Sequence, residues 1–150
     1  MTRLLHIFVV DDNISDLMLA EEVLATFSDQ VMVTTFQSGQ AVLEAMRPPD
    51  AVIPDVLLLD IHMPRMNGFD VLKAIKVDER LKFTPVVMLS TSSAAEDVTQ
   101  AYSLFASSYM VKSMDFADFL QQIESFVEFW TRNRLLNWPT PRVLEESMDP

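Results

Sequence analysis

Four short stretches hold residue types that handle phosphoryl groups and hard metal ions: Asp11-Asp12, Asp60, Ser90-Thr91 and Lys112. Each is commonplace alone. An acidic pair is more often a turn or helix cap than a ligand pair, and a single Asp often ends a buried strand. Ser-Thr is an ordinary loop start, and a lone Lys is usually a surface charge. Their shared setting lifts them above those readings, because each directly follows an apolar, strand-like run. In an open α/β sheet, sites form at the carboxyl ends of the strands. Three carboxylates gathered there would repel and push protons onto one another. A hard divalent cation relieves this, and Mg²⁺ takes oxygen ligands while keeping several waters. A carboxylate kept ionised beside it can attack a phosphoryl group. The Lys112 ammonium and the Ser90 hydroxyl could then stabilise charge on the transferring oxygens. The product is an aspartyl phosphate, and an already ionised nucleophile needs no separate base.

The elements that must position these residues follow from the hydrophobic pattern. Strand-like runs at residues 4–10, 31–36, 56–59, 85–89 and 109–111 alternate with helix-like segments. The helices are predicted at 15–28, from Ser38-Gly39 to Met46, at 69–77, 94–105 and 115–134. Leu17, Ala20, Val23, Leu24 and Phe27 recur at helical spacing, with Asn13 or Ser15 as cap. Met63-Pro64 and Asn67-Gly68 carry turn chemistry. In the last helix Phe116, Leu120, Ile123, Val127 and Trp130 are expected to form the core stripe, with Asp115 as cap. Continuous apolar strands imply a parallel sheet covered on both faces. Right-handed crossovers then make a doubly wound α/β domain over residues 1–134, with its strand order left open by the pattern. Residues 135–150, with Leu135-Leu136, Trp138, Pro139 and Pro141, form a tail that packs on its own domain, frays, or contacts a second copy.

Composition excludes several classes. The chain has 150 residues, no Cys and only two Gly. Disulfides, thiolate zinc sites and Cys nucleophiles are therefore out. A glycine-rich phosphate cradle cannot be built from Gly39 and Gly68 alone. The net charge of −11 repels nucleic acid and anionic lipid, and no apolar run reaches a membrane span. A soluble, cytoplasmic protein is expected.

The segments Val9-Val10-Asp11-Asp12-Asn13, Leu58-Leu59-Asp60-Ile61-His62-Met63-Pro64-Arg65-Met66-Asn67-Gly68, Leu89-Ser90-Thr91 and Tyr109-Met110-Val111-Lys112 together resemble the receiver domain of two-component response regulators. The resemblance covers roughly residues 4–134. The aromatic last helix and the tail also resemble the single-domain regulators associated with bacterial phytochromes. The resemblance implies a strand order of 2-1-3-4-5. It implies Asp60 as phosphoacceptor, Asp12 as direct metal ligand, Asp11 holding a metal-bound water, and the backbone carbonyl of His62 as a further ligand. It also implies Ser90, with Thr91, and Lys112 as phosphoryl contacts, Tyr109 as the switch aromatic and Mg²⁺ as the cation. The His62 side chain is expected to tune water access rather than bind metal. Two positions depart from the family pattern. Lys112 precedes Ser113 rather than a cis proline, and since a non-proline cis bond costs about 2.5–4 kcal/mol, a trans loop is expected. Phe105 stands where a turn glycine is usual, although Phe does not adopt positive φ cheaply.

The expected function is a stand-alone phosphoacceptor that takes a phosphoryl group from a histidine kinase and signals by a change of surface to a downstream protein. It is not expected to be an enzyme beyond slow self-dephosphorylation. A dehalogenase-type hydrolase would want Asp at position 13, which is Asn. A flavodoxin-type carrier would find phosphate repelled by Asp11-Asp12. A receiver that binds partners without phosphorylation remains the alternative. The aromatic excess on the last helix predicts a symmetric homodimer, with Phe119, Ile123, Phe126 and Trp130 at its interface.

Overall fold

The computed structural model describes residues 3–132 and 142–143. Its elements are β1 (Leu5–Val10), α1 (Ile14–Ala25), β2 (Val31–Phe36), α2 (Gly39–Met46), β3 (Val52–Ile53), β4 (Val56–Leu59), α3 (Gly68–Val77), β5 (Val86–Ser90), α4 (Ala95–Ser103), β6 (Ser108–Val111), α5 (Phe116–Arg132) and β7 (Arg142–Val143). Five strands form one parallel sheet in the order β2-β1-β4-β5-β6. Setting aside the short β3, this is the 2-1-3-4-5 order that the resemblance implied.

The central strands are buried because both faces are covered, and their side chains alternate between two cores. Leu5, Ile7 and Val9 of β1, with Val56 and Leu58 of β4, meet α1 and α5 on one side. Phe8, Val10, Leu57 and Leu59 meet α2 and α3 on the other. This two-period alternation within all-apolar strands is what a doubly covered sheet requires. The caps are local. The Asp16 amide donates to the Asn13 side chain at 3.0 Å, which settles the choice between Asn13 and Ser15. Ser38 caps α2, Asn67 and Asp70 form a capping box on α3, and Asp115 accepts from the Ala117 amide at the start of α5.

Three expectations need correction. The pair β3–β7 is antiparallel and lies outside the main sheet, and neither strand was read from sequence. Two residues carry too little periodicity to register. The pairing returns part of the tail to its own domain; Leu135, Leu136 and Trp138 lie outside the described residues. Second, the core stripe of α5 is broader than expected and shifted at its start. Ile123 and Val127 are buried, and Leu120 and Trp130 pack against the same core, as expected; Phe116 is exposed, while Phe119 and Phe126 join the buried face. Third, it follows that Phe119, Ile123 and Phe126 are core residues of their own chain and not interface residues. A helix rich in aromatics offers more than one candidate stripe, and only its cap and the strands beneath it select one.

Phe105 adopts φ 69°. It ends α4 in a Schellman arrangement, in which the Ala106 amide donates to the Ala101 carbonyl and the Phe105 amide to the Tyr102 carbonyl, both at 3.0 Å. The left-handed turn is thus kept without the glycine, and the ring itself is exposed. Relief of the left-handed conformation outweighs the extra unfolded-chain freedom of glycine, so Phe105→Gly should stabilise the fold by about 0.5–1 kcal/mol. An urea unfolding midpoint that rises without a change in slope is the expected result.

Candidate functional site

Strand order gathers the expected residues at one edge. β1 and β4 are neighbours, so Asp11-Asp12 and Asp60 emerge side by side. The Asp60 amide donates to the Val10 carbonyl at 3.0 Å, which fixes the two strand ends against each other. One carboxylate oxygen from each of Asp11, Asp12 and Asp60 lies within 4.8 Å of the others, which suits a divalent cation. Asp11 is buried, Asp60 half-buried and Asp12 exposed, so the cluster opens to solvent on the Asp12 side.

The next strands bring the cation and the hydroxyls. The Lys112 amide donates to the Ser90 carbonyl at 2.7 Å, holding the end of β6 to β5. The Lys112 Nζ lies 3.2 Å from both Asp11 Oδ2 and Asp16 Oδ2. Asp16 was not singled out from the sequence. The available signal was an acidic residue in the first turn of a helix that opens just beyond Asp11-Asp12, where it reads equally well as a helix-dipole charge.

Burial pushes the Asp60 carboxyl up to about 6, and the nearby Asp11 charge pushes the same way against Lys112 and the Ile61 amide. Asp11 is also raised, chiefly by burial, which the Asn13 amide and Lys112 oppose. Burial alone would pull Lys112 down. The Asp11 and Asp16 carboxylates outweigh it, and Lys112 ends above its ordinary value.

Gly68 has a purpose here that turn chemistry alone did not reveal. A Cβ at this position would stand 2.3 Å from the Asp60 carbonyl oxygen and 2.8 Å from the Ile61 Cα. The first turn of α3 therefore packs directly on the backbone that presents Asp60, and the Gly68 amide donates to the Ile61 carbonyl at 2.8 Å. Only glycine permits that approach.

The remaining expected residues form a second group beside the cluster. Ser90 is fully buried, and its Oγ accepts from the Ser92 amide at 3.1 Å. Thr91 is exposed on the same loop. The half-buried Tyr109 donates its hydroxyl to the Ser92 carbonyl at 2.8 Å. The Ser92 Oγ donates to Asp97 at 2.6 Å, and the exposed His62 ring reaches within 3.8 Å of the same carboxylate. The His62 side chain is not part of the carboxylate cluster. Ser92 and Asp97 carried no sequence signal, because their roles depend on loop conformation.

The family model described as the response regulator receiver domain matches residues 7–124. Among solved structures, the phosphorylated cyanobacterial phytochrome response regulator RcpA is 34% identical with a TM-score of 0.83, over 91% of this chain and 99% of that one. The Mn²⁺-bound form of response regulator Rcp1 is 30% identical with a TM-score of 0.79, over 87% and 97% of the two chains. Rcp1 of Synechocystis sp. is matched in sequence over 83% of this chain and 87% of its own. A probable methanogenesis regulatory protein, FilR2 of Methanothrix harundinacea, is 32% identical over 83% and 82%. No helix among the described residues is long and apolar enough to cross a membrane.

The raised Asp60 carboxyl sets a pH dependence. A carboxyl whose folded value exceeds its unfolded one stabilises the fold while protonated, and that stability is lost as pH rises from about 4 to just above 6. Cation-free protein should lose about 1 kcal/mol over this window after allowance for solvent screening. Added divalent cation should raise the melting temperature at pH 7.5, with the gain shrinking below pH 6. Asp60→Asn should flatten the cation-free slope in the same melts.

Proposed function

Because this chain belongs to the response regulator receiver family, we propose that it is a phosphorylation-driven switch whose acceptor is Asp60. One observation carries the reading: three carboxylates converge within 4.8 Å beside a lysine held at 3.2 Å from one of them. The Asp60 oxygen attacks phosphorus in a phosphohistidine of a histidine kinase. A P–O bond forms, the P–N bond breaks, and the imidazole leaves. Asp11, Asp12 and Asp60, with the His62 backbone carbonyl, would hold Mg²⁺, which when bound offsets the negative charge crowded at this edge. Lys112 is already desolvated and close, and it pairs with a phosphoryl oxygen. The Ser90 hydroxyl, whose oxygen accepts from the Ser92 amide, donates to a phosphoryl oxygen, with Thr91 beside it. Ser92 joins Ser90 to the Tyr109 hydroxyl, so a shift of Ser90 on phosphorylation is felt at β6. The product decays by slow self-hydrolysis, and the protein is a phosphoacceptor rather than an enzyme.

The similarity to RcpA, described as a phytochrome response regulator, supports a phytochrome kinase as partner, and a cytoplasmic setting belongs to the same proposal. Intact mass after incubation with Mg²⁺ and a small phosphodonor tests the core of the reading. One phosphoryl group should be added to the wild type, none without Mg²⁺, and none to Asp60→Asn. No addition under conditions that modify another receiver would instead favour a binding module independent of phosphorylation.

A symmetric homodimer through α4, β6 and α5 is part of the same proposal. Val111, Met114, Phe116 and Phe129 leave large apolar surface exposed there, and Trp130 lines a groove between β6 and α5. Sedimentation should show a dimer that Phe129→Glu weakens at least tenfold; a wild type that stays monomeric at high concentration would sink the idea.

A further inference from the structure

Lys112 stands at the open edge of the sheet. β6 has β5 on one side and, among the described residues, no strand on the other. On the open side the Gln122 side chain, from α5, takes the place of a neighbour. Its Nε2 donates to the Val111 carbonyl at 2.7 Å, and its Oε1 accepts from the Ser113 amide at 3.0 Å. In a parallel pair, one residue donates to the carbonyl before, and accepts from the amide after, the residue it faces. A single Gln122 carboxamide thus reproduces one residue of a sixth strand, centred on Lys112. On the other side the Lys112 amide is held by the Ser90 carbonyl at 2.7 Å. The backbone around Lys112 is therefore gripped from both edges.

The helix that carries Gln122 is well anchored. Phe119, Ile123 and Phe126 are buried on the sheet one position after it or within a helical turn of it. The grip also needs an N–H at position 113. Ser113 supplies one, and proline could not. Ser113 and Gln122 are thus a matched donor and acceptor on two elements.

We propose that Gln122 is a positioning residue for Lys112: by clamping Val111 and Ser113 it sets where the ammonium sits, and so how well it meets the phosphoryl group on Asp60. This inference rests on the phosphoacceptor reading above. Misplacement of a reacting partner by about 1 Å can cost roughly 10²-fold in rate, so a smaller shift of the ammonium is worth on the order of tenfold.

The test is a kinetic cycle with a small phosphodonor at saturating Mg²⁺, on wild type, Gln122→Met, Ser113→Pro, Lys112→Ala and the Lys112→Ala/Gln122→Met double variant. Methionine keeps the length and helix preference of Gln and removes both hydrogen bonds. Gln122→Met and Ser113→Pro should each lower the rate at saturating donor by about tenfold. Gln122→Met should leave Mg²⁺ affinity unchanged and cause no further loss in the Lys112→Ala background. An unchanged rate in Gln122→Met, or equal losses in both backgrounds, would overturn the proposal, the second because it marks a merely structural role. Melting temperatures of all variants separate these from unfolding. The side-chain NMR signals of Lys112 give an independent arm. If they shift in Gln122→Met while the wild type takes no phosphoryl group, the clamp stands and the phosphoacceptor reading fails. If they do not shift, the clamp fails whatever the chemistry.

Discussion

Crowded negative charge is the constraint around which this molecule is arranged. Two strand ends press the carboxylates of Asp11, Asp12 and Asp60 together at a partly buried edge, and Lys112 is the cation that reaches them from the protein side. Such a group is unfavourable left to itself, because burial and mutual repulsion both disfavour ionisation. The fold holds it by force of packing. The all-buried β4 delivers Asp60, Gly68 lets α3 seat directly on the backbone behind it, and Asp16 steadies the lysine from outside. Strain concentrated at one site and sustained by a well-packed core elsewhere is a common mark of function.

The sheet and the cluster were legible because each rests on a robust signal. Apolar strands ending in Asp11-Asp12, Asp60, Ser90 and Lys112 needed only the rule that sites form at strand ends. The helix starts at Asn13, Ser38 and Asp115 were equally local, whereas Asn67, read only as turn chemistry, proves to be the cap of α3. Less legible was anything decided by orientation between elements. Phe119 and Phe126 join Leu120, Ile123, Val127 and Trp130 on the core while Phe116 stays outside, and a stripe of aromatics does not specify how wide the buried face is. Gln122 and Asp16 look like solvated polar residues until the elements beside them are in place. Ser92 depends on the path of a loop, and the β3–β7 pair on two residues each.

Phe105 shows where a family pattern informs and where it misleads. The expectation that Phe disfavours a left-handed backbone is physically sound, yet the chain adopts that conformation because two hydrogen bonds at the end of α4 require it. The geometry belongs to the turn, and the residue type sets only its cost. Lys112-Ser113 makes the complementary point. Replacing an imino acid by Ser restores an N–H, and α5 supplies an acceptor for it.

The parallel register also governs the order in which the site comes into being. Ile7 lies opposite Val56, and Leu57 opposite Val86, so the pairings that build the edge join segments far apart along the chain. Parallel sheets assembled from distant segments fold more slowly than bundles built on local contacts. A nascent chain therefore carries Asp11-Asp12 long before Asp60 has been made, and Lys112 arrives later still. Cations in the surrounding solution have no assembled pocket to recognise until the middle of the sheet has closed. Capture of a divalent cation by this cluster would then be a late event in the life of each molecule, sealing a nearly finished fold rather than starting it.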